Sequence, residues 1–206
     1  MATVPSYFED FLSNIRLSEN QVSDLKKGHR TLRTRLDQDE DLSKIIISTF
    51  LQGSYKRSTA VKPKNGDKSD VDIIVVTNLD ADEYSPEEAL SVFIPFLEKY
   101  YIGKYIMQGR SIGIELSYVD MDLVPTSAPS ESGTEVLKNY AVISECSITE
   151  LESNQTDKRL RMAYEAFYKA EEPQWQTEPL LIPDREADKW DKTHPLEPNK
   201  MDKRKK

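Results

Sequence analysis

Asp70-Val71-Asp72-Ile73-Ile74-Val75-Val76 sets two carboxylates at the start of a continuous β-branched run. Preceded by the turn dipeptide Asn65-Gly66, the run reads as a strand buried on both faces. Residues at i and i+2 of a strand share a face, so Asp70 and Asp72 project side by side. Two such carboxylates repel, and withdrawing them from water is costly. A divalent cation removes that cost. Mg²⁺ takes hard oxygen ligands and commonly joins carboxylates to substrate phosphates. Two such ions could activate an attacking hydroxyl and stabilise a leaving pyrophosphate. An Asp-x-Asp pair alone would equally suit a solvated strand start, where it caps and turns.

The residues upstream shift that balance. Ile45-Ile46-Ile47 and Phe50-Leu51 suggest a strand or buried turn that ends at Gly53. A glycine at the end of an apolar strand lets the backbone approach a ligand closely. Gly53 and Ser54, with exposed N–H groups and a hydroxyl, then form a candidate cradle for a terminal phosphate. Lys56, Arg57 and Lys62 add positive charge within the next eight residues.

A two-metal site needs a third carboxylate from a neighbouring strand. Ile112, Ile114, Leu116 and Tyr118 alternate as in a strand with one buried face, and run into Asp120-Met121-Asp122-Leu123-Val124-Pro125. Parity does not separate Asp120 from Asp122, since both are in phase with Ile112 through Tyr118. That phase predicts a bulge or kink near Asp120, without which the carboxylates would lie on the buried face.

Around this centre the pattern is mostly helical. Tyr7, Phe8, Phe11, Leu12 and Ile15 predict a first helix. Ser18 and Gln21 form a capping box for a long second one, whose stripe is Val22, Leu25, His29, Leu32 and Leu36. Its other face, Lys26, Lys27, Arg30, Arg33 and Arg35, reads as solvated rather than as a nucleic-acid contact. Ser85-Pro86-Glu87-Glu88 opens a third helix with the stripe Leu90, Phe93, Ile94, Leu97 and Tyr101. Residues 126–134 read as a loop and 157–171 as a helix. Prolines at 173, 179, 183, 195 and 198 predict an irregular connection, followed by a charged tail through Lys206.

Composition narrows the function classes. The 206 residues are 37% apolar and 31% charged, with a formal net charge of −8. Proteins that coat nucleic acid generally carry a basic balance, so strong nucleic-acid binding is not expected. The single cysteine, Cys146, excludes an internal disulfide and reads as a packing residue. No signal segment or membrane span is expected, and the cytoplasm is the expected compartment. Tyr55 reads as packing rather than base stacking, Trp175 and Trp190 as loop anchors, and His194 as structural.

Gly53-Ser54-Tyr55-Lys56-Arg57-Ser58-Thr59-Ala60-Val61-Lys62-Pro63, followed by Asp70-Val71-Asp72, resembles the polymerase-beta-type nucleotidyltransferase superfamily. The likeness is closer to the bacterial cyclic-oligonucleotide synthases related to cyclic GMP-AMP synthase and oligoadenylate synthase. Asp122-Leu123-Val124-Pro125 fits their third carboxylate position, so the resemblance favours Asp122 over Asp120. It implies an α/β nucleotidyltransferase core, a mixed, twisted sheet with packed helices, its three carboxylates meeting at one edge. Residues 1–40 would hold N-terminal helices including a spine helix, 41–172 the core, and 173–206 the proline-rich connection and tail. Asp70, Asp72 and Asp122 would be catalytic residues holding two Mg²⁺ ions, or Mn²⁺. Gln52, Gly53, Ser54, Lys56 and Arg57 would bind the donor nucleoside triphosphate, foremost ATP.

The implied products are cyclic di- or trinucleotide messengers of anti-phage defence, which reach an effector only through the product. Family members continue with a helical domain, and this chain is expected to lack most of that half. Two competing expectations follow: an inactive truncated core, or transfer of a nucleotide to a protein or RNA, as in minimal nucleotidyltransferase antitoxins. The 15 residues between Ser54 and Asp70 count against the latter.

Overall fold

The computed structural model describes residues 6–57, 59–64, 67–128 and 179–193. The expectations for Asn65-Gly66, Cys146, the helix at 157–171, Trp175 and His194 lie outside the described residues. The first helix, α1, spans Ser6–Ile15, but Tyr7 and Phe11 are largely exposed. The second, α2 (Glu19–Gln38), starts at the expected box: Gln21 N–H donates to Ser18 Oγ at 3.3 Å, and Ser18 N–H to Gln21 Oε1 at 2.8 Å. These bonds satisfy donors that a helix start leaves without intrahelical partners. Leu25, Leu32 and Leu36 are fully buried.

The basic face of α2 is not simply solvated. Arg33 donates to Thr49 Oγ1 and to the Thr49 carbonyl at 2.7 and 2.9 Å. Lys27 lies over the Tyr118 ring, and Arg35 over Tyr100 and Tyr101. Aromatic faces attract such cations, so part of this face is fastened to the fold.

A one-turn helix, α3 (Leu42–Ile45), leads into β1 (Ile46–Gln52), and a second single turn, α4 (Gly53–Lys56), follows it. β2 (Asp70–Thr77) is the expected buried strand. The helix expected after Ser85 has its capping box with Glu88, but is split into α5 (Pro86–Ser91) and α6 (Ile94–Tyr100). Pro95 explains the break: it lacks an N–H, and inside a continuous helix its ring would collide with the carbonyl four residues back. Phe96, not Ile94, completes the buried stripe.

β3 (Tyr105–Met107), β4 (Ile112–Glu115) and β5 (Asp120–Ser127) complete the first part of the sheet. The alternation through Tyr118 was expected to be one strand with a kink. Instead the chain reverses between Glu115 and Asp120, and Leu116 N–H donates to the Val119 carbonyl at 3.0 Å. The reversal resets the phase. Ile112 and Ile114 stand beside Leu123 and Met121 in the core, and Asp120 and Asp122 take the opposite face. Thr126 and Ser127, expected in a loop, are buried strand residues. The segment expected as an irregular connection holds a hairpin, β6 (Leu180–Asp184) and β7 (Lys189–Thr193), that joins β5. Trp190 anchors it by donating to the Tyr84 carbonyl at 2.9 Å.

The sheet order is β1-β2-β5-β4-β3, with β6 and β7 attached beyond β5. β2 and β5 run parallel; the other neighbours are antiparallel. Odd-numbered residues of β2 (Val71, Ile73, Val75) face the main core with α2, α5 and α6. Even-numbered residues take the other face, where Ile74 and Val76 meet Phe50 and Leu180 in a smaller cluster. Asp70 and Asp72 share that second face, at the opposite end of the strand.

His29 is buried on α2 beside the Tyr55 ring, and its Nδ1 has no hydrogen-bond partner among the described residues. Burial, then Arg33, Arg30 and Lys26, pushes its pKa from 6.5 down to about 4. The unfolded chain therefore takes a proton near 6.5 and the folded chain only near 4, so stability falls as pH drops through that window. The loss is at most about 3 kcal/mol, from 1.36 kcal/mol per unit. We expect His29→Leu to flatten this limb in denaturant melts between pH 6.5 and 4. An unchanged slope would show that His29 does not set it.

Candidate active site

Four carboxylates lie on the second face of the two central strands. In the parallel register Asp70 stands beside Asp120 and Asp72 beside Asp122. Neighbouring strands are about 4.8 Å apart, so each pair is in direct electrostatic reach. The carboxylates stand on the two central strands, at the end of the sheet where β2 and β5 begin.

The pairs differ. Asp120 has its own cation: Lys68 Nζ is 2.5 Å from Asp120 Oδ1 and also donates to the Leu116 carbonyl at 2.9 Å. Asp72 and Asp122 are half-buried. Desolvation, then repulsion from Asp70, raises the pKa of Asp72, while Arg57 opposes the shift. Desolvation, then Asp72 and Asp70, raises that of Asp122, while a hydrogen bond from Gln108 opposes it. These two carboxylates carry the electrostatic strain that a cation would relieve.

The Gly-Ser loop lies against this pair. Gln52 is the β1 partner of Asp72, so its side chain shares the carboxylate face. Gly53 has φ +76°, in the left-handed region that favours glycine. An ideal Cβ there would stand 1.6 Å from Asp72 Oδ2. The carboxylate thus occupies space that only glycine leaves open. Ser54 follows within α4, and its carbonyl accepts from Thr59 and Ala60 N–H at 2.9 and 3.1 Å. Lys56 ends this single turn, and Arg57 is exposed.

Sequence reasoning missed Lys68, Gln108 and Ser111. Lys68, two residues before Asp70, was legible as a nearby charge. Gln108 and Ser111 carry no signal until the sheet brings their turn beside β5.

Among the described residues, no three His, Cys, Asp or Glu side chains gather closely enough to hold a metal ion by themselves. The donor set nevertheless fits Mg²⁺. That ion is usually held by one or two carboxylates plus substrate phosphates and waters rather than by an all-protein cage. Asp72 and Asp122, with Asp70 at the rim, offer hard oxygens next to a loop suited to phosphate.

The fold is that of a polymerase-beta-like nucleotidyltransferase core. The family model of the Second Messenger Oligonucleotide or Dinucleotide Synthetase domain matches residues 1–143, and the chain belongs to that family. The Cyclic AMP-AMP-GMP synthase of Enterobacter hormaechei is 47% identical over 207 residues, covering 92% of this chain and 53% of that protein. The Probable cyclic AMP-AMP-GMP nucleotide synthase of Salmonella paratyphi B is 45% identical, covering 93% and 54% respectively. The chain spans about half the length of the curated relatives it matches.

Two solved structures share the fold. The Rhodothermus marinus CdnE c-UMP-AMP synthase, solved with Apcpp and Upnpp, superposes with TM-score 0.50 at 19% identity, covering 94% of this chain and 57% of its own. Vibrio cholerae DncV in its apo form gives TM-score 0.50 at 11% identity, covering 90% and 55%. No helix among the described residues is long and apolar enough to cross a membrane.

Proposed function

We propose that this chain carries the catalytic carboxylates of a cyclic-oligonucleotide synthase, which joins nucleoside triphosphates, ATP among them, into a cyclic di- or trinucleotide. The adjacency of Asp72 and Asp122 on parallel strands, with Gly53 packed beneath Asp72, supports this reading most directly. Asp70, Asp72 and Asp122 would hold two Mg²⁺ ions, or Mn²⁺. The metal would lower the pKa of the attacking hydroxyl and offset charge on the leaving pyrophosphate. Gln52, Gly53, Ser54, Lys56 and Arg57 would hold the donor triphosphate, with Arg57 the cation that acts on Asp72. The names of the Enterobacter and Salmonella relatives support adenine and guanine nucleotides as substrates.

The test incubates the protein with α-³²P-labelled ATP and GTP and Mg²⁺. The expected result is a small, phosphatase-resistant labelled product that does not form when EDTA is present from the start. Label on protein or RNA instead would favour macromolecular transfer. No product, together with no binding of a non-hydrolysable ATP analogue, would overturn the reading.

A further inference from the structure

β3 and β4 are joined by the turn Gln108–Ser111, closed by Gln108 N–H donating to the Ser111 carbonyl at 2.9 Å. Ser111 Oγ also donates to Gln108 Oε1 at 2.7 Å. With the amide oxygen engaged there, the amide NH₂ is left to face the carboxylate row. Gly113 is the β4 partner of Asp122. An ideal Cβ on Gly113 would stand 2.6 Å from Gln108 Nε2 and 3.6 Å from Asp122 Oδ1. The Gln108 amide therefore fills the space a side chain at 113 would take, wedged against Asp122. The turn is held from behind. Arg110 donates to Asp184 at 2.9 and 2.7 Å and to Asp191 at 2.7 Å, and Arg185 N–H donates to the Gly109 carbonyl at 2.9 Å.

We infer that Gln108, polarised by Ser111 and seated in the hollow over Gly113, is a positioning residue that aims the Asp122 carboxylate at the metal site. The inference rests on the metal-binding role proposed for Asp122. A ligating carboxylate has oxygens to spare, and a hydrogen bond to one of them fixes where the other points. Gln108 is suited to this because it adds a donor without adding charge. Ser111 prevents the amide flip that would turn an oxygen toward a carboxylate.

The test uses Mn²⁺ binding by electron paramagnetic resonance with a non-hydrolysable ATP analogue present, alongside the Mg²⁺ dependence of product formation. We expect Gln108→Leu to weaken Mn²⁺ binding by about ten-fold, the low end for partners of metal ligands. The triphosphate KM at saturating metal should stay unchanged. Ser111→Ala should weaken Mn²⁺ binding less, and Ser111→Thr, which keeps the hydroxyl, should restore it. Gln108 is exposed, so its replacement leaves the core intact, and a melting curve checks this. Wild-type Mn²⁺ affinity in Gln108→Leu, or a Ser111→Thr variant no better than Ser111→Ala, overturns the inference. Failure of the wild-type protein to bind Mn²⁺ would sink it together with the proposed function, a result distinct from normal binding that ignores Gln108.

Discussion

Asp72→Asn is expected to abolish nucleotide transfer while making the metal-free chain more stable. Asn keeps the shape of Asp72 but cannot neutralise a metal. The transition-state stabilisation a metal supplies is several kcal/mol, so activity should fall by about a thousand-fold or more. The stability gain follows from the site's electrostatics. Asp72 is half-buried next to Asp70 and Asp122, and its raised pKa means that the folded chain disfavours the charged form. In EDTA at neutral pH the variant should melt at a higher temperature, each 1 kcal/mol of relieved repulsion being worth about 2–4 °C in a chain of this size.

The sign can be checked by pH. A carboxylate whose folded pKa is raised binds protons more tightly in the folded chain, so its contribution to stability falls as pH rises above the ordinary carboxylate range. This is opposite to the His29 effect, and the Asp72→Asn and His29→Leu variants separate the two. Added Mg²⁺ should raise the melting temperature of the wild-type chain and barely move that of Asp72→Asn, because a ligand stabilises only the state that binds it. Retained activity, or a lower melting temperature in EDTA, would remove Asp72 from the centre of the site.

Gly53→Ala should be nearly as damaging by a different route. Its positive φ costs a residue with a side chain about 1–2 kcal/mol. The larger effect is steric, since the new methyl group would sit where Asp72 Oδ2 now lies. Either the carboxylate or the loop must shift by well over about 1 Å to clear the contact. Misplacement on that scale costs about a hundred-fold in rate. Gly53→Asn separates the two causes, because Asn tolerates positive φ but still carries a Cβ. Both variants should be inactive in the labelled-triphosphate assay. An active Asn variant would mean that backbone conformation alone demands glycine here.

The centre of the fold was legible because its signals are local. The run of β2 is short, continuous and β-branched, as a strand buried on both faces is, and the Ser18–Gln21 and Ser85–Glu88 boxes mark helix starts within four residues. The β4–β5 reversal was hidden because Ser117-Tyr118 contains no glycine, proline or asparagine, while the alternation runs on through Tyr118. The β6–β7 hairpin was hidden by Pro183 and by the charged sequence Lys189-Trp190-Asp191-Lys192. Its place depends on the sheet and on distant partners such as Arg110 and Tyr84. The choice between Asp120 and Asp122 was closed to periodicity, since both share a face. What distinguishes the two is not encoded in the pattern: Lys68 sits on Asp120, whereas Asp122 lies against Asp72 and Gln108, and on that ground Asp122 is the one proposed as ligand.

The in-register pairing of β2 with β5 also guards against misfolding. Sliding β5 by one residue would turn Met121 and Leu123 out toward water and drive Asp120 and Asp122 in among Ile73, Leu97 and Ile112. Uncompensated carboxylates in that interior would cost several kcal/mol each. The aspartates that strain the native sheet thus act as indexing marks for its assembly: every offset by an odd number of residues is penalised far more heavily than the correct one. Replacing them with apolar residues would quiet the native repulsion, but it would leave the two central strands free to settle out of step.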